Sequence, residues 1–192
     1  MSVRKQTPSQ TVGPFFAYAL TPESYGYPGI AGPRIASPDA ATAPIVVEGR
    51  VLDGAGAPVT DALVEIWQAD PAGRYGRVRG EGFFGFGRCG TDREGRFRFE
   101  TVKPGRVAGP GGRLMAPHLL VCLTARGLLN HLFTRIYFGD EEEANRADPI
   151  LQLVPEGRRD TLIAAPESAG AVPVYRLDIH LQGERETVFF DL

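Results

Sequence analysis

Val174-Tyr175-Arg176-Leu177-Asp178-Ile179-His180-Leu181 alternates residue by residue. Successive side chains of an extended chain point to opposite faces. Val174, Arg176, Asp178 and His180 therefore share one face, and Tyr175, Leu177, Ile179 and Leu181 share the other. The odd-numbered face is the core side. A period of two marks a half-buried strand, so this stretch assigns the chain to a β class.

The rest of the sequence repeats that signal outward from it. Residues 45–52 and 62–69 read as strands, ended by Asp53-Gly54-Ala55-Gly56 and Asp70-Pro71-Ala72-Gly73. Residues 96–102 alternate Phe97 and Phe99 with charged neighbours, after the turn Asp92-Arg93-Glu94-Gly95. Residues 118–125 form a nearly continuous apolar run, which predicts a strand covered on both faces. Residues 132–138 read as a further strand, and residues 187–190 as a segment closing the sheet. The one helix expected is 140–147, whose acidic first turn suits the helix dipole. Short strands separated by turns predict an all-β sandwich, occupying residues 45–192.

Two stretches stand apart. Residues 1–44 are proline-rich and lack periodicity, yet carry Phe15, Phe16, Tyr18, Tyr25 and Tyr27. Disordered tails are poor in aromatics, so an extended N-terminal arm that packs on something else is expected. Residues 74–88 read as a glycine-rich loop whose Phe83, Phe84 and Phe86 look exposed, as an interface would be.

Bulk composition excludes several function classes. At 192 residues, a chain buries roughly 70% of its unfolded surface and needs no staple. Gly and Pro make up 40 residues, well above the usual share of about 12%; their dispersal indicates many turns. A formal charge of -2 provides no field for nucleic acid or anionic lipid. No apolar run reaches membrane-span length, and residues 1–11 have no apolar signal core. A soluble, cytoplasmic protein is expected.

Cys89 and Cys122 form no CxxC or zinc spacing. Cys122 reads as a buried inert thiol, and Cys89 is open. His118, His131 and His180 match no single-strand or single-helix chelate. A lone histidine is more often a hydrogen-bonded structural residue than a ligand. His118 stands out because it opens a buried strand just after Pro117. There is no GxSxG, P-loop or dinucleotide fingerprint, and Gly109-Pro110-Gly111-Gly112 reads as a plain loop. The acids 141–143 read as a solvated helix start.

Six blocks in order carry a resemblance. They are Thr7-Pro8-Ser9-Gln10-Thr11-Val12-Gly13-Pro14-Phe15-Phe16, Glu65-Ile66-Trp67-Gln68-Ala69-Asp70, Thr101-Val102-Lys103-Pro104-Gly105, Ala116-Pro117-His118, Arg135-Ile136-Tyr137-Phe138, and residues 183–191. Together they resemble the intradiol ring-cleavage dioxygenases over nearly the whole chain, and specifically the alpha-type subunit of a heteromeric member.

Catalytic members of that family hold a non-haem ferric ion with two tyrosines and an H-x-H pair. Anionic oxygen donors and imidazoles suit Fe(III). Ionising a tyrosine at pH 7 costs about 4 kcal/mol unless a Lewis acid offsets it, so such a ligand works only in a complete site. Here the second histidine is Leu120 and the tyrosine after K-P-G is Val107. The tyrosine due after W-Q-A-[DN] is also missing, since Tyr75 is the last before Tyr137. At most one ligand survives, and His118 reads as a structural residue left over from duplication of a catalytic ancestor. The resemblance therefore implies no metal in this chain and Fe(3+) held by a partner beta subunit.

It also implies that the arm reaches the partner's cleft, with Gly13, Pro14 and Phe15 forming a pocket wall. Glycine allows close backbone approach and proline rigidity. Arg126, in Ala125-Arg126-Gly127, would meet the substrate carboxylate through paired hydrogen bonds; read by itself it is a surface ion pair. Arg135 is a second candidate. The expected substrates are 3,4-dihydroxybenzoate and O2. Rival readings are a self-sufficient enzyme using Tyr75, His118, His131 or His180, a binding module on the same sandwich, and a purely structural subunit.

Overall fold

The computed structural model describes residues 15–35, 43–76, 83–167 and 170–191. Its strands are β1 (Pro44–Leu52), β2 (Leu63–Trp67), β3 (Phe86–Gly90), β4 (Arg96–Val102), β5 (Val107–Ala108), β6 (Leu114–Met115), β7 (His118–Thr124), β8 (Leu132–Phe138), β9 (Ile163–Glu167), β10 (Val174–Arg176) and β11 (Ile179–His180). The α-helices are α1 (Phe15–Leu20) and α2 (Glu142–Ala147).

One sheet runs β11-β1-β10-β9-β8-β7-β2-β3, with β4 along the other edge of β1. It curls so that its inner face encloses a single core. Val47, Val64, Phe99, Leu119, Val121, Leu123, Ile136 and Ile179 all sit in that core with no exposed surface. Each contributes roughly 1.5–3 kcal/mol by leaving water. Residues 32–35 stitch the curl across its open side. Pro33 and Ile35 bond to the backbone of Glu100 in β4, and the Gly32 carbonyl accepts from Arg88 in β3. Gly87 permits this crossing, because a Cβ there would collide with Ile35.

The alternating stretch 174–181 lies alongside β1 in one unbroken register, Glu48 opposite Arg176 and Val51 opposite Ile179. It is nonetheless split into β10 and β11. At the break the Asp178 carboxylate accepts the Arg50 backbone N–H at 2.8 Å. Gly49 lets the Leu177 carbonyl come where a Cβ would clash. Tyr175 and Ile179 are buried, and Leu177 and Leu181 pack on the core, so the odd-numbered face is the inner one.

Several sequence expectations are revised. Phe86–Gly90 is a strand, not loop, paired along the whole of β2. Phe83, Phe84 and Phe86 are half-buried rather than exposed. The stretch expected as an extended arm is helical over Phe15–Leu20, so among the described residues there are two short α-helices rather than one. The segment 187–190 is not a ladder strand: it is held by the bridge from Phe190 to Phe133 and by hydrogen bonds from Thr187 to His180 and from Thr134 to the Val188 carbonyl.

A second apolar cluster lies on the outer face. Ala116, Tyr137, Ala144, Leu151, Val154 and Leu162 pack where α2 and the 3-10 turns Leu151–Leu153 and Glu156–Leu162 cover the start of β7 and the end of β8. The rest of that outer face is only half-buried. There the side chains of Trp67, Leu120 and Arg135 form one cross-strand row.

Candidate functional site

Two of the sequence motifs meet in space. Gln68 of Trp67-Gln68-Ala69-Asp70 is fully buried; it donates to the Val102 carbonyl at 2.9 Å and accepts from the Thr101 hydroxyl at 2.6 Å. The Asp70 carbonyl accepts from Gly105 N–H at 2.9 Å. A Cβ at Gly105 would run into Pro71. The glutamine and glycine are thus explained by packing and backbone approach. Lys103, in the same K-P-G turn, reaches Asp140 at 2.9 Å and Glu141 at 2.7 Å. Its ammonium lies 5.4 Å from the Phe138 ring centroid and 5.5 Å from that of Tyr175. Of the acids at the start of α2, Glu141 is therefore tied down, while Glu142 and Glu143 are exposed as expected.

Pro117 and the Ala116 backbone deliver His118 to the outer face of β7, 5% exposed. Its Nδ1 lies 2.7 Å from the Ala116 carbonyl. A carbonyl only accepts, so Nδ1 carries the proton and Nε2 keeps a bare lone pair. Burial, reinforced by the Arg135 charge, pushes the imidazole down to about 4, so it is neutral at pH 7. Directly across is Tyr137, with ring centroids 5.7 Å apart. Its hydroxyl donates to the fully buried Asp148 at 3.2 Å. Burial, and the nearby Asp148, hold the phenol well above its ordinary value, although Arg135 opposes them. Asp148 also accepts the backbone N–H groups of Ala116, Ile150 and Leu151 at 2.7–2.8 Å. It is the organising residue of this end of the site. Only its position in the fold reveals it, since no motif marks it.

These residues do not fit a ferric ion. Leu120 sits one pleat along from His118, between Trp67 and Arg135. It offers no donor. Val107 is buried against Ala69, Met115 and Ile150, so apolar atoms fill that position. Tyr75 stacks on Trp67 with centroids 6.1 Å apart and planes 2° from parallel. Burial raises its phenol, with Arg135 pulling the other way. Among the described residues no group of three or more His, Cys, Asp or Glu side chains is placed to hold a metal. His131 packs edge-on to Phe133, and His180 belongs to β11 on the β1 edge, so neither joins His118.

The two candidate arginines are not brought together. Arg126 lies in the turn after β7, with its side chain 85% exposed and paired to Asp61 at 3.2 Å. Arg135 faces Leu120, several residues back along the sheet. The two positions are roughly 20 Å apart along an extended strand, too far to share one carboxylate. Phe15 opens α1. Gly13 and Pro14 lie outside the described residues.

Both thiols are free. Cys89 donates to the Gly90 carbonyl at 3.2 Å, and burial raises its thiol. Cys122 is half-buried on the outer face rather than fully buried, with its thiol raised by burial and by Glu65.

A family model described as "Dioxygenase" matches residues 34–183. The chain is 49% identical over its full length to the whole of the protocatechuate 3,4-dioxygenase alpha chain of Burkholderia cepacia. It is 42% identical to the beta chain from the same organism, across 74% of this chain and 66% of that one. Among solved structures, the dioxygenase domain of a dioxygenase carbohydrate-binding protein fusion from Streptomyces sp. SirexAA-E superposes with a TM-score of 0.58. That match has 25% identity and covers 93% of this chain and 99% of that one. The chain belongs to the intradiol ring-cleavage dioxygenase family, with leucine and valine standing where that family's resemblance calls for metal ligands.

Proposed function

We propose that this chain is the alpha subunit of a protocatechuate 3,4-dioxygenase, acting in aromatic-compound catabolism (the beta-ketoadipate pathway) in the cytoplasm. The heteromer cleaves the ring of 3,4-dihydroxybenzoate between its two hydroxyls with O2. Both oxygen atoms enter the product, 3-carboxy-cis,cis-muconate. The partner beta subunit holds Fe(3+), which supplies the oxidative chemistry. The observation that carries this reading is full-length similarity to an alpha chain combined with Leu120 and Val107 at the ligand positions.

This chain's own part is binding and assembly. Gly13, Pro14 and Phe15 wall the partner's pocket. The exposed Arg126 exchanges Asp61 for the substrate carboxylate when the subunits meet. An exposed ion pair is worth about 0–1 kcal/mol, so that exchange costs little. The Asp61 pair also favours a second reading, in which Arg126 is only a surface residue and the subunit is purely structural.

Expression of the chain alone and with its beta partner, followed by iron analysis and O2 uptake with 3,4-dihydroxybenzoate, tests the main reading. Iron and turnover are expected only in the complex; turnover by the lone chain would refute it. Arg126→Ala in the complex separates the two readings. A raised KM supports the pocket role, and an unchanged KM supports the structural one.

A further inference from the structure

The outer face of the other half of the curl is charged rather than aromatic. There β4, β1 and β10 lie side by side, and a groove of about 710 Å³ is lined by residues of all three. Four of those residues are arginines: Arg96 and Arg98 from β4, Arg50 from β1 and Arg176 from β10. Each is exposed, because charged residues at alternate positions of a half-buried strand share its solvent face.

Two rows cross these strands. In one, Glu48 lies between Arg98 and Arg176 and accepts from both, at 2.6 Å and 2.5 Å. In the other, Arg96 and Arg50 stand directly opposite each other. Like charges in that position destabilise a sheet. Arg50 reaches Asp178 on its far side at 2.8 Å, and Arg176 also meets Glu167 at the rim at 3.0 Å. The remaining acid of the groove, Asp92, accepts the backbone N–H groups of Glu94 and Arg96 at 2.9 and 2.8 Å. Glu48, Asp178 and Glu167 thus serve Arg98, Arg50 and Arg176, whereas Arg96 faces another cation. Arg98 meets Glu48 through Nη1 and Arg50 meets Asp178 through Nη2. A guanidinium has five donors in one plane, so each fork keeps a further edge to offer. Arg96 and Arg98 are about 7 Å apart along β4, and Arg50 is about 5 Å across from Arg96.

We propose that this groove binds a tetrahedral oxyanion of the phosphate class, held between Arg96, Arg50 and Arg98. An anion seated between Arg96 and Arg50 removes their repulsion. A tetrahedral group accepts from forks that arrive from two strands, whereas a carboxylate offers two oxygens in a single plane. Glu48 and Asp178 bound the site on the β10 side and limit it to one anion per chain. No bond is made or broken. The site uses strands other than those of the Trp67, Leu120 and Arg135 row, and it rests on no part of the function proposed above.

The full chain is dialysed to equilibrium against radiolabelled inorganic phosphate at pH 7 and constant ionic strength, since exposed charges are screened by salt. One saturable phosphate per chain is expected. Arg96→Gln should weaken binding about tenfold through the loss of charge-assisted hydrogen bonds. Arg185→Gln, at an exposed arginine outside the groove, should leave it unchanged. Acetate should displace the label about tenfold less well than phosphate. Displacement by glycerol 3-phosphate at lower concentration than by phosphate assigns the site to the phosphoryl group of an organic ester, and displacement at higher concentration assigns it to the free anion. Absence of saturable binding, equal displacement by acetate, or unchanged binding by Arg96→Gln overturns the proposal. So does displacement by polyglutamate at a lower carboxylate concentration than phosphate, which would make the groove a docking face for an acidic chain segment. If Arg96→Gln fails to fold by circular dichroism, Arg98→Gln takes its place with the same expectation.

Discussion

The two faces of β7 differ in what they demand. Leu119, Val121 and Leu123 point inward and have no exposed surface, while Leu120 and Cys122 point outward and are half-buried. The inner row is packed against β1, β4 and β8 and answers only to volume. The outer row is where catalytic relatives would place chemistry. Replacing a histidine by leucine there removes a ligand but leaves the core intact. Fold and metal binding are therefore separable in this chain, because they lie on opposite sides of one strand.

The sharpest way to break that comparison is to truncate each side. Leu119→Ala should cost about 3 kcal/mol, within the usual range for a buried leucine, and Leu120→Ala clearly less. Urea unfolding of both variants measures this, and equal losses would mean that the faces are not distinct.

The covered end of the outer row, around His118, makes a second prediction. Its imidazole is held at about 4 by burial and the Arg135 charge, against about 6.5 unfolded. Between these values the unfolded chain binds the extra proton. Stability should therefore fall as pH drops from about 6.5 to 4, by on the order of 3 kcal/mol, and then level off for this group. His118→Gln should flatten the curve over that window. An unchanged pH slope would show that His118 is not the titrating group.

Lys103 tests how firmly the cover is pinned. It joins two acids at the start of α2 and lies over two rings while still about a quarter exposed. Lys103→Met should cost about 1–2 kcal/mol, combining a cation–π contact with a partly buried pair. Thermal unfolding at low and high salt measures it; the difference from wild type should shrink as salt rises.

The smallest expected effect is the most informative about metal. Leu120→His restores the second imidazole at a stability cost under about 1 kcal/mol. It should not produce tight iron binding, since Val107 still supplies no phenolate. Metal analysis of the purified variant checks this, and stoichiometric ferric iron would show that two imidazoles suffice.

Much of the fold was legible in local pattern. Phe97 and Phe99 in β4, and Tyr175 and Ile179 in β10 and β11, alternate with charged residues and point inward as read. β3 was not legible, because Phe86-Gly87-Arg88-Cys89-Gly90 has two glycines and resembles a loop. It becomes a strand by pairing with β2, and Gly87 is needed for the crossing of residues 32–35. β9 was hidden by Pro166, which sits opposite Tyr175 in the ladder. Asp148 was missed because its partners come from Ala116 and Tyr137, far away in the chain.

The missing ligands could be read without any structure. A leucine or valine side chain has no lone pair, so no fold can make Leu120 or Val107 a metal donor. Side-chain alternation likewise follows from backbone geometry alone. The sequence could not say which groups meet, because register across β2, β7 and β8 joins residues far apart in the chain. Only the tertiary structure set Arg126 apart from Arg135, brought Gln68 to Thr101, and placed Arg135 in one cross-strand row with Leu120 and Trp67.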